Sequence, residues 1–262
     1  MYLEPLSELN WAYQLHYYLC FRTRYRLPFS DADQLNLSLA EVCRRHDYHL
    51  LRSKFYSNHV RCLLSLKPQD SISAVVRTLK ANSSPRAGFW QTGYLAKTIG
   101  RVRIGSVRQY IEDQSQHHGY ATRLLPPVFR YRAEKKIDLD TAHASFDLSY
   151  HFVFATRYRI GIFNASLGER LADYWLRVAS LRGFAIDRLT VVPDHMHLLI
   201  RTAPKMSVEE CVLSLLNNGQ YFVGKYAPQI LVQAGVDRLW QASAYAGSTG
   251  EMTTALLKKF LS

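Results

Sequence analysis

Two short stretches of this chain carry residue types at spacings that could do chemistry. The first is His195-Met196-His197, within TVVPDHMHLLI. On a β-strand, residues i and i+2 point to the same face. Both imidazoles then project together, spaced to share a metal ion, while Met196 turns to the opposite face as core. Two ordinary histidines on a surface or core strand satisfy the same spacing. The second is Tyr110, within GSVRQYIEDQSQ, followed four residues later by Gln114. An i, i+4 spacing puts phenol and amide on one helix face. A phenol there could attack a phosphodiester, with the amide oxygen as a hard metal ligand. In a chain with 17 tyrosines, a surface tyrosine on an amphipathic helix is the plain alternative.

The elements that must hold these residues occur twice. YQLHYYLCFRTRYR (13–26) matches FDLSYHFVFATRYR (146–159) at seven of 14 positions. NHVRCLLSLKP (58–68) lines up with DHMHLLIRTAP (194–204), and FWQ (89–91) with LWQ (239–241); the pair Gly105-Ser106 is matched to Gly247-Ser248. Each copy predicts a first aromatic and β-branched strand, 13–22 or 146–156. Helical spacing follows over 33–46 and 166–183, with Asp31 and Asn164 in the cap regions. Strand pairs are expected at 49–56 with 59–66 and at 184–192 with 195–202, turning at Ser57-Asn58 and Pro193-Asp194. Then come helices over 71–83 and 207–226, a short strand after each Trp-Gln pair, and a closing helix over 106–117 or 250–260. The order β-α-β-β-α-β plus a helix is α+β, two tandem ferredoxin-like (RRM-like) units with antiparallel sheets. The boundaries read as 1–117, a surface linker over 118–144, and 145–262. The linker contains Gly119, Pro126 and Pro127 with the basic residues Arg130, Arg132, Lys135 and Lys136.

Composition narrows the function classes. The 262 residues are 48% hydrophobic and 21% charged, enough for a packed core and against global disorder. Lys and Arg outnumber Asp and Glu by 33 to 21, a net +12, which favours a polyanionic partner, nucleic acid before membrane. No apolar run approaches the roughly 20 residues of a membrane span. The opening MYLEPLSELNW has no basic n-region or apolar h-region, so a cytoplasmic location is expected. Cys20, Cys43, Cys62 and Cys211 are far apart and read as reduced, buried thiols. Arg22, Arg24, Arg26, Arg157 and Arg159 stand beside aromatic residues, a composition that suits single-stranded nucleic acid by phosphate contact and base stacking. Strand alternation makes most of those aromatics core.

Taken together, the His-hydrophobic-His strand and the YIxxQ helix resemble the single-tyrosine HUH transposases of the insertion-sequence 200/605 kind (TnpA type). The resemblance runs over nearly all of both halves. It implies a small antiparallel-sheet domain that cuts and rejoins single-stranded DNA with hairpin ends. Cleavage would pass through a covalent 5′-phosphotyrosine with Mg²⁺ or Mn²⁺, in a prokaryotic, nucleoid-associated setting. Family members work as homodimers in which the histidine pair and the tyrosine helix of each site come from different subunits. Here Tyr110 would be the nucleophile; His195 and His197 would hold the metal with Gln114, and Asp113 and Glu112 are the next candidate ligands.

This chain departs from the family pattern in each half. The first half keeps Tyr110 and Gln114, but its strand reads His59-Val60-Arg61, and an arginine does not ligate a cation. The second half keeps both histidines but places Met252 and Leu256 at the expected Tyr and Gln positions. The losses are complementary. The expectation is a fused pseudo-dimer, monomeric but with further self-association left open, holding one composite site per chain. Arg61, Arg22, Arg24, Arg157 and Arg159 are candidate DNA contacts. The competing function is a non-catalytic binder of single strands or hairpins derived from such an enzyme.

Overall fold

The computed structural model describes residues 1–100, 104–112, 126–139, 141 and 143–251, with backbone alone at Tyr110 and Glu112. The first half comprises β1 (Asn10–Gln14), β2 (His16–Thr23), α1 (Ala32–Arg45), β3 (His49–Phe55), β4 (His59–Ser65), α2 (Ile72–Ser83), β5 (Trp90–Ile99) and α3 (Ile104–Glu112). Next come β6 (Phe129–Arg132), β7 (Ala144–Asp147), β8 (Ser149–Thr156), α4 (Ala165–Arg182), β9 (Phe184–Val192), β10 (His195–Thr202), α5 (Val208–Tyr226), α6 (Pro228–Ala234) and β11 (Trp240–Thr249). Asp31 and Asn164 cap α1 and α4 by accepting from the backbone N–H groups of Gln34 and Leu167. Ser207 and Glu210 form a reciprocal capping box that starts α5.

Strand order in the first sheet is β3-β4-β2-β5-β7, and in the second β1-β11-β8-β10-β9-β6. Within each sheet the four antiparallel strands of one unit have the ferredoxin-like order. The added strands reveal how the halves are joined. β1, from the first half, pairs parallel with β11 of the second; β7, which opens the second half, pairs parallel with β5 of the first. The exchange is reciprocal down to single hydroxyls. Thr98 Oγ1 accepts from Ser149 N at 2.9 Å, and Ser248 Oγ accepts from His16 N at 2.9 Å. Ser73 N donates to Pro204 O and Glu209 N to Pro68 O, each at 2.9 Å. Helix-facing residues of both units, including Leu19, Phe21, Phe152 and Phe154, belong to one continuous core.

Three expectations need correction. The first strand of each half is broken into two, because residues 10–14 and 144–147 leave to join the opposite sheet. The stretch 118–144 is not all surface linker: Phe129–Arg132 forms β6 and pairs antiparallel with β9. The match of Gly105-Ser106 to Gly247-Ser248 fails, since the former lies in α3 and the latter in β11. Side-chain alternation on β5 and β11 instead equates Thr98 with Ser248, in step with the Trp-Gln pairs. The expected helix over 250–260 lies outside the described residues apart from its first two positions. Helix α6 has no counterpart among the expected elements; Pro228 at its first turn and left-handed Gly235 at its end delimit it.

Candidate active site

β10 lies between β8 and β9, and every one of its residues is buried. Met196 enters the helix-side core. His195 and His197 occupy the other face, 5% and 3% exposed, with ring centroids 5.0 Å apart. Directly opposed residues in an antiparallel pair share a face. His197 therefore stands between Val153 and Thr190, and His195 between Ala155 and Val192, all uncharged.

The two rings are held from behind. His195 Nδ1 donates to Asp194 Oδ1 at 2.6 Å, and Arg159 Nη2 reaches Asp194 Oδ2 at 2.9 Å. Burial pushes the Asp194 carboxyl up, but the hydrogen bond from His195 and the nearby Arg159 guanidinium outweigh it. The net result lies below the ordinary carboxylate range. A carboxylate that accepts from Nδ1–H leaves Nε2 with its lone pair, the usual arrangement behind a metal-ligating histidine. His197 Nδ1 lies 3.1 Å from His151 Nε2, and the rings stack at 15°. Burial lowers the His151 pKa to about 4, so this ring is neutral at pH 7. His197 is metal-competent when its Nδ1–H donates to His151. The donor set thus fits a divalent ion. Among the described residues no cluster of three His, Cys, Asp or Glu side chains is arranged to hold one. A third ligand would have to come from elsewhere; Gln114 and Asp113 lie outside the described residues.

Helix α3, from the first half, lies on this second-half sheet. Val107 and Ile111 pack on Leu199, two residues beyond His197 on the same face. Thr190, the cross-strand partner of His197, donates its hydroxyl to the Ile111 carbonyl at 2.9 Å. Ile104 N donates to Gly250 O at 2.9 Å, so the helix starts on the end of β11. The backbone of Tyr110 is therefore one residue from a carbonyl anchored beside His197.

The arginines separate into groups. Arg157 pairs with Asp237 at 3.2 Å and lies over the Tyr158 ring, and Arg159 braces Asp194. Arg24 covers Tyr25. Arg24, Arg26, Arg157 and Arg159 are not strand residues; they form single 3-10 turns in which Tyr25 and Tyr158 adopt left-handed conformations, φ 59 and 55. Arg22 lies one residue before the end of β2, opposite His59, and Arg61 lies on β4 opposite Cys20.

Two site residues escape sequence reasoning. His151 sits in the SYHF segment, two residues before Val153 and on the histidine face, but no motif flags it. Asp194 reads from sequence only as a turn residue. Met252 and Leu256 lie outside the described residues, and their equivalence to Tyr110 and Gln114 depends on the failed Gly-Ser match. Continuing the step that relates Trp90 to Trp240 puts Phe260 opposite Tyr110, equating VRQYI with LKKFL. In that alignment a phenylalanine stands where the first half has its tyrosine.

The family model for IS200-like transposases matches residues 11–114 and again 144–262. The ISDra2 transposase TnpA of Deinococcus radiodurans is 24% identical over 116 residues, which is 44% of this chain and 83% of that protein. The transposase of insertion sequence IS200 from Salmonella typhimurium is 21% identical over 141 residues, covering 47% of this chain and 91% of that protein. Less than half of this chain thus covers most of each relative's length. A solved REP-associated tyrosine transposase bound to a REP hairpin aligns over 43% of this chain and 68% of its own, at 14% identity and a TM-score of 0.30.

Proposed function

Because the chain belongs to the IS200-like transposase family, we propose that it cleaves and rejoins single-stranded DNA at one composite site per chain. The second half supplies His195 and His197, and the first half supplies Tyr110. The observation that carries this reading is the Thr190–Ile111 hydrogen bond, which ties the tyrosine helix to the neighbour of His197 within the same molecule.

His195 and His197, with Gln114 as the third ligand, would hold Mg²⁺ or Mn²⁺. Such an ion, when bound, polarises a non-bridging oxygen of the scissile phosphate and offsets the charge that develops there. Asp194 and His151 fix the two rings, which makes the histidine face ready before DNA arrives. Tyr110 gives up its phenolic proton to solvent and forms the new Oη–P bond as the P–O3′ bond breaks, and the 3′ oxygen takes a proton from solvent and leaves as a hydroxyl. The 5′-phosphotyrosine keeps the energy of the phosphodiester, so a 3′-hydroxyl can reverse the step and join a strand. Cationic side chains spread over both halves suit the partner, single-stranded DNA with hairpin ends.

Mixing two inactive proteins tests the reading. Tyr110→Phe and His195→Ala each break the only site of a molecule, so the mixture stays inactive toward a labelled single strand in Mn²⁺. Recovery of covalent adduct on mixing would mean that the helix serves a neighbouring chain. Absence of any adduct with the wild-type protein would leave the non-catalytic binder as the function.

A further inference from the structure

Resting on the reading as a single-strand DNA transferase, we propose that the first-half counterpart of the histidine pair is a metal-free clamp for a DNA phosphodiester, built on Arg61 and Arg22. β4 repeats β10 position for position, with Arg61 in place of His197 and His59 in place of His195. The Arg61 guanidinium lies over the Tyr56 ring, 4.5 Å from its centroid. Tyr56 in turn stacks on His59 at 4.6 Å and 3°. Arg22 is directly opposite His59 on β2, and Lys54 directly opposite Arg61 on β3.

Several positions of this patch differ from the histidine pair in the direction that favours an anion. His59 has Asn58 behind it at 3.2 Å where His195 has Asp194, so the carboxylate that supports a ligating imidazole is gone. Burial, then the charges of Arg61 and Arg22, push the His59 pKa down. Val153, Ala155 and Thr190 surround the histidine pair; Cys20, Arg22 and Lys54 occupy the same places here. Three cationic side chains in adjoining register oppose a divalent ion. Among the described residues neither Arg22 nor Arg61 forms an ion pair with a carboxylate. A guanidinium is planar and carries its N–H donors in one fork, the geometry for bidentate phosphate binding. The patch occupies the position that, in the other half, receives the scissile phosphate. It would hold a strand that this chain does not cut.

Anisotropy titration of a labelled oligothymidine strand in EDTA, across a salt series, tests the clamp. Arg22→Ala/Arg61→Ala should weaken binding about tenfold or more. It should also flatten the log–log salt slope by about 1.4, two contacts at about 0.7 each. Arg22→Lys/Arg61→Lys, which keeps the charge, should retain the wild-type slope. Unchanged affinity and slope in the alanine protein would overturn the clamp, as would a lysine protein as weak as the alanine one, or wild-type binding that requires Mn²⁺. The transferase reading is judged separately, by covalent adduct of the wild-type protein in Mn²⁺. Adduct together with unaltered slopes sinks the clamp alone; no adduct sinks the reading beneath it.

Discussion

The central strands β4 and β10 descend from one pattern and have diverged toward opposite charges. On β10 two imidazoles stand among Val153, Ala155, Thr190 and Val192, with a carboxylate behind the first ring. On β4 one imidazole and one guanidinium stand among Cys20, Arg22, Lys54 and Tyr56, with an amide behind the ring. The backbone pairing is the same, so the difference is chemical. A neutral surround and a supporting carboxylate suit a cation; stacked and clustered cations suit a phosphate. In this chain the residues around the two strands differ as much as those aligned with the histidine pair. The sequences that follow diverge in the reverse sense: Tyr110 is matched in the aligned sequence by Phe260.

The largest expected effect is at the nucleophile. Tyr110→Phe should take covalent adduct below detection while single-strand binding persists, because one hydroxyl is removed. Adding Phe260→Tyr to that protein should not restore the adduct, since the aligned strand carries Arg61. An adduct mapped to the introduced phenol would break the comparison between the halves.

Metal stoichiometry is the next measure. Mn²⁺ titration should find one site per chain, lost in His197→Ala. His59→Ala should leave the count unchanged. Arg61→His alone should also leave it at one, because Arg22 and Lys54 still oppose the ion. Copying the second half more fully, with Arg22→Ala, Lys54→Thr, Asn58→Asp and Arg61→His together, should raise the count to two. A second site in the Arg61→His protein would show that the surround matters less than the ligand.

Asp194→Asn transfers the first half's amide into the second. It should weaken Mn²⁺ binding by about 10–100-fold without abolishing the site, as for other supporting partners of ligating histidines. An unchanged affinity would remove Asp194 from the design of the site.

The smallest effect is away from both sites. Lys80 of α2 donates to the carbonyls of Gln91, Thr92 and Gly93 at 2.7–3.0 Å. Its counterpart on α5 is Leu216. Burial lowers the Lys80 pKa to about 8. The unfolded value is about 10.4. Between these values the unfolded chain binds more protons, so stability rises with pH through that window. Lys80→Leu should remove this rise in denaturation midpoints measured from pH 7 to 10.5; a rise of the same size in the variant would assign it to another group.

Much of the fold is legible because its signals are local. The strand pair at 184–192 and 195–202 can be read to the residue, since period-two alternation and the Pro193-Asp194 turn lie within one hairpin. Helix starts at Asp31 and Asn164 follow from capping chemistry that needs no tertiary contact. The exchange of residues 10–14 and 144–147 is not legible, because parallel pairing with a strand of the other half leaves no local mark. The strand at 129–132 is hidden for the same reason: its partner, β9, is distant in sequence, and its charged residues read as linker.

For the site, the sequence by itself determined the chemical inventory: one tyrosine helix with its glutamine, one intact histidine pair, and complementary losses in the two halves. Residue identity and spacing i, i+2 or i, i+4 are enough for that, because side-chain direction within one element is set by backbone geometry. Only the tertiary structure decided that α3 of the first half lies on β9 and β10 of the second, that His151 stands behind His197, and that Arg61 lies over Tyr56 beside Arg22. Each of these brings together groups from separate strands or helices. Their proximity follows from how the two sheets share one core and exchange their edge strands, a condition set by the packing of the whole chain.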